Sequence, residues 1–422
     1  MSAHRLSDLI RFARTNSPFY RDLYASLPSH TDRLTDLPVV DQQEFWAANT
    51  LHDSRVLTGP LSEATVYKTG GTTGSPKFSV YTRDEWRTFV TAFGQGLVDT
   101  GLRPGHRVAD LFYAGELYAS FLFVLDSLAH APVDNVRLPI GGGATPESTI
   151  PALHDLGAQV LTGTPTTLCR LAEQALASGV RLDSVELLLF GGEALFDDQR
   201  RLLAAAFPGA EARSVGYASV DAGLLGRPVP GSDARVHRAF TPYSVVEILD
   251  DGDEPITEPG RPGRVVVTSL FRRLMPIIRY PAGDRAEWTG TGPGHFRILG
   301  RAEEGVRVGP VSLYTQDAQD AVAAADTAGQ VVGMQLVVRR WDGRDGLVLR
   351  LATAPGEHGR EALAEAVVAE LQSARPLYPD SVRAGFVHPL SVEWARHRDL
   401  AVNPRSGKLV RVLDERPVGG DR

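Results

Sequence analysis

The sequence has almost no cysteine: Cys169 is the only one in 422 residues. A chain with a single thiol cannot form an internal disulfide or a zinc site built from several thiolates. We therefore expect a protein whose stability comes from apolar burial, which is compatible with a reducing compartment. A chain of this length is expected to form about two or three domains with a large core.

Long apolar segments and an excess of positive charge are also absent. No apolar run reaches the roughly 18 residues of a membrane-spanning helix, and the segment 1–24 lacks the apolar centre of a signal peptide. Lys and Arg number 44 against 51 Asp and Glu, a net charge of -7. No basic field therefore indicates nucleic acid or an anionic membrane as a partner. We predict a cytoplasmic, enzyme-sized protein in which an anionic ligand needs a local site.

The first two-thirds of the chain alternates apolar, strand-like segments with helical patterns, which indicates a mixed α/β architecture. Segments 107–113, 159–161 and 185–190 are candidate strands, and each is followed by a loop rich in Gly, Thr, Pro or acidic residues. Ligands of open α/β sheets bind at such carboxyl ends of strands. A helical face in between is predicted to be core rather than a binding surface; it consists of Trp86, Phe89, Val90, Phe93 and Leu97.

The pattern changes after about Arg301 and predicts a second, smaller domain. A helical pattern over 315–325 precedes strand-like segments at 331–339 and 346–352, and another helical pattern covers 358–374. We place the boundary at Glu304. The prediction is a large N-terminal domain over 1–303 and a small α+β domain over 304–422.

One segment has the composition of a phosphate-binding loop: Thr69-Gly70-Gly71-Thr72-Thr73-Gly74-Ser75-Pro76-Lys77. Glycines let backbone N–H groups approach an anion, hydroxyls add donors, and Lys77 adds charge. The segment is not a Walker A loop, because it lacks Gly-Lys-Ser/Thr at the required spacing and Pro76 would interrupt the helix start. A polar turn without a ligand is the alternative interpretation of such a cluster.

Four segments in order resemble motifs of the adenylate-forming superfamily, which includes acyl-CoA synthetases, carrier-protein adenylation domains and luciferases. They are the loop 69–77, Arg279-Tyr280-Pro281-Ala282-Gly283-Asp284, Gly300-Arg301-Ala302-Glu303-Glu304 and Pro404-Arg405-Ser406-Gly407-Lys408. The short length and the segments 13–21, 139–145, 161–165 and 275–280 are similar to the phenylacetate–CoA ligase branch. The resemblance covers essentially the whole chain and implies a mobile C-terminal lid with Glu304 at its hinge.

The resemblance implies attack of a substrate carboxylate on the α-phosphorus of ATP, which gives an acyl-adenylate and pyrophosphate. Such chemistry depends on positioning and charge neutralisation. Lys408 is the implied catalytic lysine, whose charge binds carboxylate and α-phosphate oxygens. Asp221 is implied to be catalytic and to ligate Mg²⁺ through a hard carboxylate oxygen.

The resemblance also implies a nucleotide-binding set. Asp284 would hold both ribose hydroxyls, Arg301 would contact the same nucleotide, Gly192 and Glu193 would lie beside adenine, and Tyr217 would stack on it. The full set is Thr69, Gly70, Gly71, Thr72, Thr73, Gly74, Lys77, Gly192, Glu193, Tyr217, Ala218, Ser219, Asp284 and Arg301.

Two segments depart from the motifs of the superfamily: Tyr217-Ala218-Ser219-Val220-Asp221, where Asp221 is one methylene shorter than the family glutamate, and Arg307-Val308-Gly309-Pro310. Val220 stands where the family has a threonine and cannot donate a hydroxyl to the α-phosphate, for which Ser219 is a candidate replacement. The segment Arg307-Val308-Gly309-Pro310 stands where the family has Lys-x-x-Gly, so Pro310 replaces the glycine of that motif. Because proline lacks a backbone N–H, an altered contact with pantetheine is expected there. The CoA acceptor is therefore less firmly implied than adenylation.

The predicted acyl pocket consists of Tyr113, Glu116, Tyr118, Phe190, Ala222 and Gly223. Glu116 either contacts a polar or amino-bearing substrate or faces solvent, since a buried carboxylate is costly unless paired. We predict ATP- and Mg²⁺-dependent ligation of an aromatic or small carboxylic acid to CoA, with release of AMP and pyrophosphate. Transfer to a carrier-protein thiol or a nitrogen nucleophile is one alternative, and a non-catalytic nucleotide- or acyl-binding relative is another.

Overall fold

The computed structural model describes residues 2–31, 33–50, 52–68, 77–301, 305–353 and 360–416, with Arg301 described by its backbone only. The loop residues Thr69, Gly70, Gly71, Thr72, Thr73 and Gly74 lie outside the described residues, and so does the predicted hinge Glu304.

The described helices and strands alternate through the first part of the chain. The helices are α1 (Ser2–Asn16), α2 (Pro18–Leu23), α3 (Gln42–Ala48), α4 (Arg83–Gly96), α5 (Ser120–Ala129), α6 (Pro146–Asp155), α7 (Pro165–Ser178), α8 (Asp197–Ala206), α9 (Thr315–Ala325), α10 (Arg360–Ala374) and α11 (Leu377–Arg383). The strands are β1 (Ala64–Lys68), β2 (Phe78–Thr82), β3 (His106–Asp110), β4 (Asn135–Pro139), β5 (Val160–Gly163), β6 (Leu187–Phe190), β7 (Glu211–Ser214), β8 (Tyr217–Ser219), β9 (Gly223–Pro228), β10 (Val236–Ala239), β11 (Ser244–Leu249), β12 (Gly263–Ser269), β13 (Tyr280–Trp288), β14 (His295–Arg301), β15 (Gly305–Val308), β16 (Val311–Tyr314), β17 (Val331–Trp341), β18 (Arg344–Thr353), β19 (Ser391–Ala395) and β20 (Val412–Asp414). Within the described part of the chain, no helix has the length and apolar character needed to span a bilayer.

A parallel sheet with the strand order β4-β3-β5-β6-β7 forms one layer of the larger part of the chain. Strands β5 and β6 are buried along their whole length, as expected for parallel strands that are covered on both faces. β4 pairs with one side of β3, whereas β5 pairs with the other side. Such a change of direction opens a crevice at the carboxyl ends of the strands, where α/β proteins bind ligands.

The predicted strands 107–113, 159–161 and 185–190 correspond to β3, β5 and β6. β3 ends at Asp110, earlier than predicted, and the chain then passes through left-handed conformations at Gly115, Glu116 and Leu117. Helix α7 shows how the loops after these strands are made. The Thr164 side chain caps its first turn, Pro165 occupies a first-turn position, and left-handed Gly179 ends it.

An antiparallel sheet with the order β11-β12-β13-β14-β10-β9-β8 forms a second layer. The amino-terminal helices pack on it, since Leu9, Tyr20 and Phe45 share one buried cluster with Val267 and Ile277. The Tyr20 hydroxyl donates a hydrogen bond to the Pro276 carbonyl at 2.9 Å. The N-terminal segment therefore supports the sheet that carries the motif residues 279–284.

The part of the chain after residue 305 has its own apolar core. It contains the hairpin β15–β16 and a mixed sheet with the order β19-β18-β17-β20, and one cluster of buried residues extends from Val306 to Leu390 within it. The predicted helix over 315–325 is α9 with the same bounds, and the predicted strand pair is β17 and β18, both longer than predicted. A separate core is what a second domain requires.

Pro310 lies in the two-residue connection of the hairpin β15–β16. Val308 pairs with Val311, and Gly309 between them has a φ of 55°. Two-residue hairpin turns commonly have a positive φ at their first central residue, which is Gly309 here. Because Pro310 lies outside the strand pairing, its missing N–H costs no ladder hydrogen bond.

Candidate functional site

A cavity of about 1400 Å³ opens where the parallel sheet changes direction. Phe112, Thr164 and Gly191, which follow β3, β5 and β6, form one wall. The segments 218–221 and 281–284 from the antiparallel sheet form another wall, and the segment 403–414 contributes residues from the small part of the chain. We call this space the central cavity.

The Lys408 side chain enters the central cavity beside Gly192. Gly192 has a φ of 78°, and a Cβ built on it would lie 2.9 Å from Cε and 3.3 Å from Nζ of Lys408. The positive φ favours glycine here, and a larger residue would force the end of the lysine side chain to shift. The structure therefore brings the predicted catalytic lysine to the carboxyl end of β6.

All three lysines in the sequence line the central cavity: Lys68, Lys77 and Lys408. The other basic residues of the chain are arginines. Lys68 and Lys77 lie on either side of the loop 69–76, and Nζ of Lys77 is 5.7 Å from the ring centroid of Trp46. Sequence analysis missed Lys68, although the scarcity of lysine was a signal that could have found it. Three cations at one cavity suit an anionic ligand.

Asp221 lines the central cavity, and a hydrogen-bonded chain from the N-terminal segment orients it. The Tyr280 hydroxyl donates to Asp221 Oδ2 at 3.1 Å, and accepts from Trp46 Nε1 at 3.0 Å and Gln42 Nε2 at 3.2 Å. Burial, and then the nearby Asp221 carboxylate, raise the pKa of Tyr280 well above its usual value. The hydroxyl therefore keeps its proton and remains a donor to the carboxylate.

Arg272 lies behind Asp221 and was not predicted. Its side chain is fully buried and stacks on the Tyr81 ring, with 4.0 Å between the guanidinium carbon and the ring centroid. It donates to the Asp221 carbonyl at 2.6 Å, to the Val80 carbonyl at 2.7 Å and to Ser79 Oγ at 3.1 Å. The guanidinium thus ties the backbone of the Asp221 turn to β2.

Asp284, the predicted ribose ligand, also lines the central cavity, and Arg301, which was predicted to contact the same nucleotide, lies opposite it in the neighbouring strand. Asp284 pairs with Arg301 across β13 and β14. The Tyr217 hydroxyl donates to Asp284 Oδ2 at 2.5 Å, and the Tyr217 ring lies 5.9 Å from the His237 ring and 6.2 Å from the Phe296 ring. Tyr217 therefore supports Asp284 from behind, whereas its stacking on adenine stays a prediction.

Glu193 and Tyr113 lie at the junction of the two parts of the chain rather than in the cavity wall. Glu193 accepts hydrogen bonds from the Thr166 backbone N–H and from the Leu409 backbone N–H, next to Lys408. The Tyr113 ring packs against Gly407, where a Cβ would lie 1.9 Å from its Cε2. Neither residue is among those that line the cavity.

A cluster of aromatic rings walls the other end of the central cavity. The Phe123 ring lies 4.6 Å from the rings of both Phe89 and Phe93, and Phe112 and Tyr118 also line the cavity. Phe89 and Phe93 belong to a buried core cluster, as predicted, but they contribute to the cavity as well. The prediction of core alone was therefore incomplete, because a residue on a buried helix face can also border a pocket.

The remaining predicted residues divide into two groups. Lys77, Gly192, Ala218, Ser219, Asp221, Asp284, Lys408 and Tyr118 line the central cavity. Glu116 is exposed, at a φ of 48°, whereas Phe190, Ala222 and Gly223 are buried within the core. The structure therefore places Tyr113, Glu116, Phe190, Ala222 and Gly223 outside the cavity wall. The predicted acyl pocket was identified by motif position, which does not report the direction of a side chain.

The residues around Asp221 fit a magnesium ion that is held mainly by phosphates. Mg²⁺ in nucleotide sites is usually bound by one or two carboxylates together with phosphate oxygens. Among the described residues there is no cluster of three or more His, Cys, Asp or Glu side chains that could hold a metal by itself. Asp221, which lines the cavity, could supply a protein ligand of such a site.

Asp110, at the end of β3, is a buried carboxyl group close to the cavity. It accepts from the Phe112 N–H at 3.0 Å and the Thr162 hydroxyl at 3.4 Å, and Oδ2 has no partner among the described residues. Burial raises the pKa of Asp110 to about 7, and the two hydrogen bonds oppose that rise. The group is therefore neutral in the folded chain at moderately acidic pH.

We expect Asp110→Asn to remove a pH dependence of stability. Because the folded-state pKa is raised, the contribution of Asp110 is fully present below its unfolded pKa of 3.8 and is lost as pH rises through about 7. Each pKa unit is worth about 1.4 kcal/mol. Between pH 4 and 8 the free energy of unfolding of the wild-type chain should therefore fall by on the order of 4 kcal/mol relative to that of the variant. Urea unfolding at several pH values measures this. Asp320→Asn, at an exposed position, is the control. A difference in free energy of unfolding between wild type and Asp110→Asn that stays constant across pH would contradict the prediction.

Comparisons with known proteins agree with this geometry. No protein-family model matches the chain. A phenylacetate–coenzyme A ligase from Thermus thermophilus is 25% identical over 442 residues, covering 99% of this chain and 96% of the relative. An indoleacetate–lysine synthetase from Pseudomonas savastanoi is 24% identical over 406 residues and covers 92% of both chains.

Solved structures of a 2-hydroxyisobutyryl-CoA ligase share the fold. Its post-adenylation state superposes with a TM-score of 0.77 at 21% identity, covering 98% of this chain and 88% of that one. Its thioesterification state superposes with a TM-score of 0.64 at 23% identity, covering 99% of this chain and 89% of that one. The arrangement of this chain is thus more similar to the former state. These similarities agree with the resemblance of the sequence motifs to the phenylacetate–CoA ligase-like branch of the adenylate-forming superfamily.

Proposed function

We propose that this chain activates a carboxylic acid with ATP as an acyl-adenylate and then transfers the acyl group to CoA, with release of AMP and pyrophosphate. One observation carries the proposal: Lys408, Asp221 and Asp284 line the same cavity as an aromatic cluster. These are the charged groups that the first half-reaction needs, and they come from three distant segments of the chain. ATP and CoA as cosubstrates suit a cytoplasmic location.

In the first half-reaction, a carboxylate oxygen of the acid forms a bond to the α-phosphorus, and the bond to the bridging oxygen of pyrophosphate breaks. The Lys408 ammonium neutralises charge on the carboxylate and α-phosphate oxygens. The Ser219 hydroxyl, which accepts from the Ala222 N–H at 3.1 Å, still has a proton to donate to the phosphate. Mg²⁺ held by Asp221 would neutralise phosphate charge when bound. Asp284 would hold the ribose.

In the second half-reaction, the CoA thiol loses its proton and its sulfur bonds to the acyl carbon, while the bond to AMP breaks. For this step we propose that the small domain, residues 304–422, rotates against the domain 1–303 with Glu304 as the hinge. Rotation of a lid between two steps is an established type of domain motion. It would carry Lys408 out of the cavity and bring the hairpin β15–β16 in.

The substrate class follows from the aromatic end of the cavity. The Phe123 ring lies against the rings of both Phe89 and Phe93, and the three side chains give this part of the cavity an apolar, aromatic surface. Glu116 is exposed and is not among the residues that line the cavity, so it offers no carboxylate at this wall. We therefore propose an acid with an aromatic or similarly apolar group next to its carboxylate.

Phe123→Ala tests this acid class. The change removes the ring that contacts both Phe89 and Phe93, so we expect kcat/KM for a small aromatic acid to fall by about ten- to a hundredfold, and bulkier acids to be accepted relatively better. Steady-state kinetics with a series of acids measures this. Phe386→Ala is the matched control, since Phe386 is 64% exposed on the small domain. An unchanged order of preference among the acids would contradict the assignment of this wall.

The experiment for the function itself is mass spectrometry of the products from ATP, Mg²⁺ and pooled aromatic and short aliphatic acids, with and without CoA. A thioester that appears with AMP only when CoA is present supports the proposed ligase, and its mass identifies the acid. AMP and an acyl-adenylate without a thioester would support a different acceptor. The absence of both products would contradict adenylation of the acids supplied.

A nitrogen nucleophile is the second candidate acceptor. It is favoured by the similarity over 92% of the chain to a protein named indoleacetate–lysine synthetase. In this case the amine nitrogen would attack the acyl carbon and release AMP, giving an amide. Adding an amino-acid mixture in place of CoA distinguishes the two acceptors, because an amide and a thioester differ in mass and in sensitivity to hydroxylamine.

A further inference from the structure

The loop that carries Lys408 is internally closed. The Gly407 N–H donates to the Asn403 carbonyl at 2.8 Å, and the Asn403 N–H donates to the Lys408 carbonyl at 2.8 Å. Asn403 Oδ1 also accepts from the N–H groups of Arg405 and Ser406, at 3.0 and 3.2 Å. We call residues 403–409 the lysine loop. Because these hydrogen bonds fix the shape of the loop, the position of the lysine depends on how the loop is docked against the large domain.

Glu193 docks the carboxyl-terminal side of the lysine loop. Its Oε2 accepts from the Thr166 hydroxyl at 2.8 Å and the Thr166 N–H at 3.2 Å, in the first turn of α7. Its Oε1 accepts from the Leu409 N–H at 2.5 Å. One carboxylate therefore accepts from three donors and joins the large domain to the residue that follows Lys408. A carboxylate can satisfy all three donors because both of its oxygens accept hydrogen bonds.

Tyr113 docks the same loop immediately before Lys408. Its ring lies between two glycines, such that a Cβ on Gly142 would come within 2.4 Å of the ring and a Cβ on Gly407 within 1.9 Å. Gly407 also has a φ of 65°, which disfavours any other residue. The two docking residues thus hold positions 407 and 409, one on each side of the lysine.

We infer that Glu193 and Tyr113 are positioning residues that hold the lysine loop in the arrangement for adenylation, and that they do so only in this arrangement. The inference rests on the proposed function. Both contacts join the large domain to the lysine loop, so a rotation that removes Lys408 from the cavity must break both. Their loss should therefore slow the first half-reaction and spare the second. This assigns Glu193 a role other than the adenine contact that the motif implies.

Glu193→Gln and Tyr113→Ala test the inference through the two half-reactions measured separately. The glutamine keeps the shape of the side chain but turns an amide N–H towards one of the donors. We expect exchange of pyrophosphate into ATP, driven by the acid, to fall at least tenfold in kcat with little change in the KM for ATP. Conversion of a synthetic acyl-adenylate and CoA to acyl-CoA should stay within about twofold of wild type. Exposed Glu147→Gln is the control for the charge change.

Hydrogen exchange of the full chain gives a readout that needs no turnover. We expect faster exchange in the segment 403–411 in both variants than in wild type. Equal loss of both half-reactions, a raised KM for ATP at unchanged kcat, or unchanged exchange at 403–411 would each overturn the inference. If the wild-type chain forms no adenylate with any acid, the proposed function fails, whereas the exchange measurement still tests the docking contacts.

Discussion

Replacing Lys408 with alanine is expected to lower the rate of acyl-adenylate formation by about 10²–10³-fold, the usual cost of removing one group that stabilises charge in a transition state. The lysine lies at the carboxyl end of β6 beside Gly192, where it reaches the cavity that Asp221 and Asp284 line. Acid-dependent exchange of pyrophosphate into ATP measures the loss. ATP binding should remain, because the proposed ribose contact is made by Asp284 and not by this side chain.

The Lys408→Ala variant should still convert a synthetic acyl-adenylate and CoA to the thioester, because the proposed rotation carries the lysine away from the reacting atoms. Arg383→Ala on α11 is a suitable control, since the Arg383 side chain is 77% exposed. Adenylation at the wild-type rate in Lys408→Ala would contradict both the site and the proposed function. Loss of both half-reactions together with ATP binding would indicate a structural role for the lysine.

Replacing Arg272 with methionine is expected to destabilise the fold by about 3 kcal/mol, because carbonyl groups that it satisfies would stay buried without donors. Among the described residues the side chain has no carboxylate partner, and it donates to the Asp221 and Val80 carbonyls instead. Relief from burying a charge offsets part of the cost. Since the Asp221 turn loses its tie to β2, we also expect at least a tenfold fall in the rate of adenylate formation.

Arg273→Met is the matched control for Arg272→Met. Arg273 is adjacent in sequence but exposed, with its guanidinium carbon 5.0 Å from the Phe12 ring. Thermal unfolding and the Mg²⁺ dependence of pyrophosphate exchange are the measurements. If Arg272→Met unfolds at the wild-type temperature and keeps its Mg²⁺ dependence, the buried guanidinium neither stabilises the fold nor orients Asp221.

Much of the site was predictable because its residues lie in short motifs. Lys77, Gly192, Asp221, Asp284 and Lys408 were all predicted from local segments, and all of them line one cavity. Two residues of the predicted acyl pocket do not line this cavity, since Glu116 is exposed and Phe190 is buried in the core. A motif reports which residues are near a site along the chain, but the direction of each side chain depends on the local backbone, such as the left-handed turn at 115–117.

The sequence by itself determined the class of fold, the order of the motifs and the chemistry they imply, because strand and helix patterns and motif residues are local properties of the chain. Tertiary structure alone decided that Glu193 docks the lysine loop, that Trp46 reaches Asp221 through Tyr280, and that Phe89 and Phe93 border a cavity. Each of these depends on contacts between residues far apart in sequence. The physical reason is that such contacts are set by which strands are neighbours in the sheets and by how the small domain docks, and neither leaves a periodic or compositional pattern in the chain.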